Sequence, residues 1–438
     1  MPADPATPED LNYLIVSPEL GVLNYRRHPR WRRGAAVGLA IYAFQALRAA
    51  LRDIRARPDL PSRPTVLSPV ASLNQLRAVE PVLAHVEGAA VLPLQGAPGQ
   101  PTFPGFRAYL GGLAGLPQAL TAARAAQGYA RLAYERHLDR FVLAHGLVAE
   151  AERLLAKVSP RLVLLSNDHW LLNRAVLRAA QRLGLPTAYV QHAAVTHGFP
   201  PLEFGLAFLD GLDALEKYDL PGSAGSRAFL TGMAKGDEAR RKARHRDGAS
   251  VLGLALNPLD REDAVVAFAN ELRSLAPDLK VVYRPHPRDT RDWDRLLPGM
   301  DRSDPAAEDP FQFLDRVDAI VCGPSSIALE AALVGVLPLT LDFDGRGEDH
   351  YGFIGSGLVR LVGGAAEALE ALRASRGTPD EAVLRRYSAT VGTHYDGRSA
   401  ELVAELLTET LAGGVDLSRW QRVEARFVEA YELRPKRR

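Results

Sequence analysis

A histidine held between prolines and a pair of serines at a helix start carry the clearest chemistry in this chain. The first is Arg284-Pro285-His286-Pro287, and the second is Gly323-Pro324-Ser325-Ser326-Ile327-Ala328-Leu329-Glu330. Each follows a run that reads as a buried strand, 280–283 and 318–322. A proline pushes the residue before it towards extended backbone, so His286 is aimed with little entropy left to lose. Arg284 and Arg288 flank it with positive charge. Pro324 stops its strand, and either Ser325 or Ser326 would cap the helix that follows. Backbone N–H groups and the helix dipole favour an anion there. Glu330 lies one turn on from Ser326 and on the same face, placed to reach ribose hydroxyls, to cap or to salt-bridge. Alone, each motif reads as a turn or a simple cap. Together, in this order and at one sheet edge, they point to the phosphates of a nucleotide.

These motifs need a sheet to hold them. Short Val/Ile/Leu runs alternate with Ala/Leu-rich helical patterns, which predicts an α/β fold with parallel strands. Strands are expected at 11–17, 65–67, 89–93, 161–165 and 187–191, with a long broken helix over 117–157 interrupted near His145-Gly146. The turn-rich and then charged stretch 219–250 predicts a boundary. A second series follows: strands at 250–256, 280–284, 318–322 and 337–341, and helices at 262–275, 310–316 and 326–334. Helical residues return at 398–412 and 417–433. The expected domains are 1–220, a linker over 221–248, a nucleotide-binding domain over 249–395, and C-terminal helices over 396–438 that pack back on the first domain. The 438 residues fit two or three domains.

Composition removes several classes. Lys and Arg number 53 against 52 Asp and Glu, so no global field argues for nucleic acid. One cysteine, Cys322, excludes an intramolecular disulfide framework and a multi-Cys zinc site. The start of the chain shows no apolar signal region, and a cytoplasmic protein is expected. Residues 25–50 run from a basic patch (Arg26, Arg27, Arg30, Arg32 and Arg33 around Trp31) into the apolar stretch 35–47, which is too short to span a bilayer. That segment fits peripheral contact with an anionic inner membrane face, or a solvated amphipathic helix. No Walker loop, Gly-x-Gly-x-x-Gly, Gly-x-Ser-x-Gly or His-x-x-x-His pattern appears.

The RPHP motif and GPSSIALEAALVGVLPLTLDF resemble the carboxyl half of bacterial GT-B glycosyltransferases that build capsules and other surface glycans. Similar His-Pro and Ser-Ser motifs occur in sialyl- and polysialyltransferases, capsule Kdo-transferases and CDP-glycerol glycerophosphotransferases. The resemblance implies two Rossmann-like domains facing a cleft. It implies that His286, Pro287, Ser325 and Ser326 hold the nucleotide of a sugar donor, with a CMP-linked acidic sugar favoured; Arg284 and Glu330 are expected beside them from charge and spacing. The acidic Asp/Glu-Asp/Glu-Gly motif of sialyltransferases has no full match; Leu209-Asp210-Gly211 and Phe343-Asp344-Gly345 are fragments of it. Gln191-His192 is similar to a Gln-His-Gly turn of the same enzymes, with Ala193 in place of the glycine.

A transfer to a glycan or glycolipid acceptor needs a base within hydrogen-bond reach of the acceptor hydroxyl. His192 leads, because an unperturbed imidazole titrates near neutrality. Asp168 is the second candidate, or a mere cap for the helix near Trp170. Asn167, His197, Asp344 and His350 are expected to touch the same cleft, with His169 as readily structural. The acids of loop 342–351 would bind a divalent cation or stay solvated; no metal or cofactor is expected. Rival readings are a sugar-nucleotide epimerase of the same fold, a CDP-glycerol-type transferase and a non-catalytic nucleotide-binding protein.

Overall fold

The computed structural model describes residues 7–18, 20, 34–55, 62–243, 250–374 and 379–434. Six strands from the first half open an eight-stranded sheet: β1 (Val66–Val70), β2 (Ala90–Pro93), β3 (Leu162–Leu165), β4 (Thr187–Val190), β5 (Leu206–Leu209) and β6 (Arg227–Leu230). A six-stranded sheet follows: β7 (Val251–Ala255), β8 (Lys280–Arg284), β9 (Asp301–Arg302), β10 (Ala319–Cys322), β11 (Leu337–Thr340) and β12 (Arg360–Leu361). The chain then returns, adding β13 (Trp420–Val423) and β14 (Glu429–Leu433) to the first sheet.

The strand orders are β13-β14-β6-β5-β4-β3-β1-β2 and β12-β11-β10-β7-β8-β9. All pairs are parallel except β13 with β14. Strands alternate their side chains between two buried faces. Leu162 and Leu164 of β3 enter one core and Val163 and Leu165 the other. In β10, Ile320 and Cys322 face one core while Ala319 and Val321 face its opposite. A strand covered on both faces has no polar side to show, so it reads as a continuous apolar run. Strand order reverses between β1 and β3 and between β7 and β10. Open α/β sheets place their crevices at the carboxyl ends of such strands.

Several expected elements differ. Residues 11–17 form helical turns Pro8–Leu11 and Tyr13–Val16, not a strand. Thr7 accepts from the Asp10 N–H, and Leu11 and Ile15, four apart, enter the core together. The long helical region divides into Leu116–Ala125 and Gly128–Val158, and its internal kink falls at His137 rather than near Gly146. Gly146 is a close approach instead, since a Cβ there would meet the Ala108 carbonyl oxygen at 2.0 Å. The expected linker contributes β6 to the first sheet and then the helix Asp237–Arg241; residues 244–248 of it lie outside the described residues.

The helix Ser399–Leu411 packs on the first domain through Leu402, Val403, Leu406 and Leu407. Asp237 accepts from the Ser399 and Ala400 N–H groups at 2.9 and 2.7 Å, which caps that helix from far away in sequence. Residues 417–433, expected as helix, instead pair as β13 and β14. Tyr431 stacks on Phe229 with centroids 5.4 Å apart, and Trp420 meets the same ring edge-on at 4.8 Å. The aromatic pairs and the open edge of β6 outweigh helix propensity there.

Among the described residues no helix is long and apolar enough to cross a membrane, and no group of three or more His, Cys, Asp or Glu is placed to hold a metal ion. The basic patch 26–33 lies outside the described residues.

Candidate functional site between the two sheets

The carboxyl ends of β3, β4 and β5 deliver the titratable groups Asp168 and His169, His192, and Asp210 in turn. Asp168, after β3, is buried and fully occupied: Oδ1 lies 2.6 Å from Nδ1 of His169, and Oδ2 accepts from the Tyr218 hydroxyl at 2.7 Å. Burial alone would raise its pKa, but the bonds from His169 and Tyr218 outweigh it and hold the carboxyl below its ordinary value. Asp168 does not cap the next helix. Asn167 takes the N–H groups of His169 and Trp170 at 3.2 and 2.7 Å through Oδ1. Those bonds fix the amide, so its Nδ2 donates to His169 Nε2 at 3.3 Å. His169 donates its Nδ1–H to the Asp168 carboxylate. Both its nitrogens are engaged, and its ring packs edge-on against Phe199 at 4.8 Å.

His192, after β4, sits 6.4 Å from His169, ring to ring. Its pKa is pushed down to about 3, first by burial and then by the neighbouring His169 and by Lys235. The ring is partly exposed by surface area, yet its Nδ1 is buried with no hydrogen-bond partner among the described residues. Such an imidazole is neutral at working pH but a weak base. This weakens the expectation that His192 draws the proton: low dielectric and a second imidazole oppose the charge it would gain. His197 is exposed.

Sequence reasoning noted Asp210 only within a fragment of an acidic motif and left it out of the expected site. It follows β5 directly, is 4 % exposed, and its carboxyl takes no hydrogen bond from the described residues. Burial raises its pKa well above the carboxylate range; Lys235 opposes this and Glu330 adds to it. Its backbone is pinned: Asp210 O accepts from the N–H groups of Gly232 at 3.1 Å and Ala389 at 2.8 Å. A Cβ at Gly211 would meet the Arg386 carbonyl oxygen at 2.4 Å, so only glycine lets the returning segment lie this close. β5 is not among the strands expected from the sequence, and that concealed Asp210.

Glu330 comes from the second domain, on the helix Ile327–Leu333, and pairs with Lys235 of the first-domain side at 2.5 Å. Both are mostly buried, with side-chain exposures of 7 % and 14 %. Lys235 lies within the stretch expected as linker, on the turn Ala234–Gly236. Lys217 adds a second bridge across the cleft, donating to the Tyr351 carbonyl at 3.0 Å and to Asp213 at 2.6 Å. Asp210, His192, Lys235 and Glu330 thus converge where the two sheets face each other.

The second-domain rim is more open. His286 follows β8 and accepts the Arg288 N–H at Nδ1 (3.1 Å), so its proton sits on Nε2 as a donor. Pro287 is exposed beside it. Arg284 does not join this rim. It is 6 % exposed, and its terminal nitrogens donate to Ser303 at 2.7 Å and the Glu308 carbonyl at 2.8 Å. A buried guanidinium must be satisfied locally, which removes it from phosphate binding. Ser325 and Ser326 are half-buried, and Ser326 makes no side-chain cap. The helix they begin has only seven residues. The hydroxyls and loop, rather than a strong dipole, are what this rim offers.

Ser325 lines a shallow open pocket together with Gly323, Pro324, Asp349, His350 and Tyr351. His350 lines the same second-domain pocket as Ser325. Asp344 is not among the lining residues: it bonds Arg346 within its own loop, and Asp342 takes the Arg346 and Gly347 N–H groups. Asp260, at the β7 side of the strand reversal, is 3 % exposed, and burial lifts its pKa to about 7. Its Oδ2 accepts from Asn257 at 2.6 Å while Oδ1 is buried without a partner among the described residues.

No protein-family model matches the chain, and no curated protein matches it in sequence. Solved structures do match in shape. A Listeria monocytogenes protein assigned as a UDP-N-acetylglucosamine 2-epimerase superposes with a TM-score of 0.53 at 15 % identity, over 80 % of this chain and 97 % of that one. MnaA of S. aureus, solved with UDP, gives 0.52 at 13 % identity over the same 80 % and 97 %. The wall teichoic acid polymerase TagF, soaked with CDPG, gives 0.45 at 9 % identity, over 89 % of this chain and 98 % of that one. At such identities the likeness concerns the fold, and with the two facing parallel sheets it establishes that this chain has the GT-B fold.

Proposed function

We propose that the protein is an enzyme acting on a nucleotide-activated sugar. The nucleotide docks on the second-domain rim, with His286 Nε2–H and the Ser325 and Ser326 hydroxyls as donors to its phosphates. The sugar then faces the groups between the sheets. The observation that carries this reading is the convergence of a buried, hydrogen-bond-poor carboxyl, Asp210, with the Lys235–Glu330 pair at the carboxyl ends of strands from both sheets.

The favoured reaction is epimerisation at a sugar carbon. It asks for one group to take a carbon-bound proton and another to return one on the opposite face. Asp210 and Glu330, from opposite domains and sharing Lys235, suit that division. The shape-matched epimerase supports the same choice. The burial of His192 and the full occupation of Asp168 count against the two bases expected for transfer to an acceptor.

Glycosyl or CDP-glycerol-type transfer is the second reading, supported by the His-Pro and Ser-Ser motifs. In that case Glu330, rather than His192 or the protonated Asp210, takes the acceptor hydroxyl's proton, and the nucleotide leaves from the anomeric carbon towards His286. Thermal-shift screening with CMP, CDP, UDP and GDP, followed by acceptor-free incubation with the matching sugar nucleotides, separates the readings. A new epimer with the nucleotide still attached supports the first. Turnover only when a glycan acceptor is added supports the second, and no stabilisation by any nucleotide contradicts both.

A further inference from the structure

The helix Ala35–Arg55 turns apolar residues to solvent. Its inner face is used up: Gly38, Tyr42 and Ala49 are buried, and Gly38 lies close against Leu138 of the helix Gly128–Val158. Its outer face carries Val37, Ala40, Phe44, Leu47, Leu51 and Ile54, at alternating steps of three and four residues. That spacing forms one continuous stripe along a helix. The five large ones are 50, 58, 58, 43 and 81 % exposed in that order. Beside them the helix Phe106–Leu113, joined through the Tyr42–Tyr109 ring contact, exposes Leu110 and Leu113 at 51 and 49 %. Scattered exposed leucines need no explanation, but a contiguous stripe on adjoining helices does.

Charge decides what covers it. From residue 21 to residue 52 the sequence holds seven arginines and no acidic residue. Arg48 lies over the Phe44 ring at 5.8 Å, and Arg107 is exposed on the neighbouring helix. A second copy on this face would set arginine against arginine with no acid in that stretch to pair. An anionic lipid surface satisfies both halves, taking the stripe into its acyl boundary and the guanidinium groups at its phosphates.

We propose that the outer face of Ala35–Arg55, with Leu110 and Leu113, docks the protein on anionic membrane. The assignment is independent of the reaction performed in the cleft. The test is flotation of the full chain with vesicles of phosphatidylcholine alone and of phosphatidylcholine with phosphatidylglycerol at about three to one. The expected result is binding to the anionic vesicles that falls at high salt. Phe44→Ser with Leu47→Ser lowers the partition coefficient at least about tenfold, and Arg48→Gln lowers it about fivefold. Circular dichroism and melting should be unchanged in both variants, because the altered side chains face solvent. Absence of flotation with anionic vesicles, or equal binding to neutral ones, overturns the proposal. So does a stable dimer by light scattering that Leu47→Ser dissociates.

Discussion

The two sides of the cleft are built on opposite principles. On the first-domain side, Asp168, His169, Tyr218 and Asp210 are buried, and their protonation is set by low dielectric and by one another. On the second-domain side, His286, Ser325 and Ser326 keep surface and present donors to whatever enters. A closed network of titratable groups suits proton movement, because burial spreads their pKa values apart. An open rim of hydroxyl and imidazole donors suits capture of an anion. The contrast also separates residues alike in sequence. Arg284 stands two residues from His286 but is locked inside the second domain, while Glu330 stands four from Ser326 but reaches across to Lys235.

Substitutions on the two sides should therefore fail differently. The largest effect is expected for Asp210→Asn, which keeps the shape and removes the titratable proton. Turnover should fall by about two to four orders of magnitude while nucleotide affinity, read by calorimetry, stays within about twofold. Equal loss of affinity and turnover would erase the distinction between the two sides. Lys235→Met leaves Glu330 buried without its cation and should cost about 3 kcal/mol of stability in thermal unfolding at pH 7.5. Part of that loss should return near pH 5, where a buried carboxyl can take a proton.

Asp260 sharpens the comparison, because it is a closed carboxyl on the open side. Its folded pKa is raised by burial from the ordinary 3.8 to about 7. The folded state therefore holds its proton more tightly, and the stability it contributes is complete below about pH 4 and lost as pH rises towards 7 and beyond. Asp260→Asn should remove that loss, making the variant more stable than the parent at pH 8 by about 2 kcal/mol and no more stable at pH 4. Equal pH profiles for variant and parent would show that the carboxyl is not held protonated. The smallest effect belongs to Ser325→Ala with Ser326→Ala. Nucleotide affinity should weaken about tenfold, about 1.4 kcal/mol, with no change in melting temperature.

Much of this was legible in the residues. Strands β3, β8 and β10 announced themselves as continuous apolar runs, and His286, Ser325 and Ser326 followed from their positions just beyond strand ends. The return of the chain to the first domain was also expected, although its last part arrives as β13 and β14. What stayed hidden depends on long-range contact. β5 and β6 were not among the expected strands and show themselves through pairing, so Asp210 was not placed at a strand end. Lys235 looked like one charge in a charged stretch, and only the packed structure shows it opposite Glu330. His192 looked like a base by residue type, but burial first, and then His169 and Lys235, set its proton affinity, and neither neighbour adjoins it in sequence.

The central claim is acid–base chemistry on a sugar whose nucleotide is held by the other domain. The direct measurement is acceptor-free incubation in deuterium oxide with the sugar nucleotide that best stabilises the protein, followed by mass spectrometry of the recovered sugar. The account predicts one solvent deuterium incorporated at carbon by the parent and incorporation at least about a hundredfold slower in Asp210→Asn. A bound sugar nucleotide recovered with no deuterium, under conditions where the protein is folded and saturated, would contradict it.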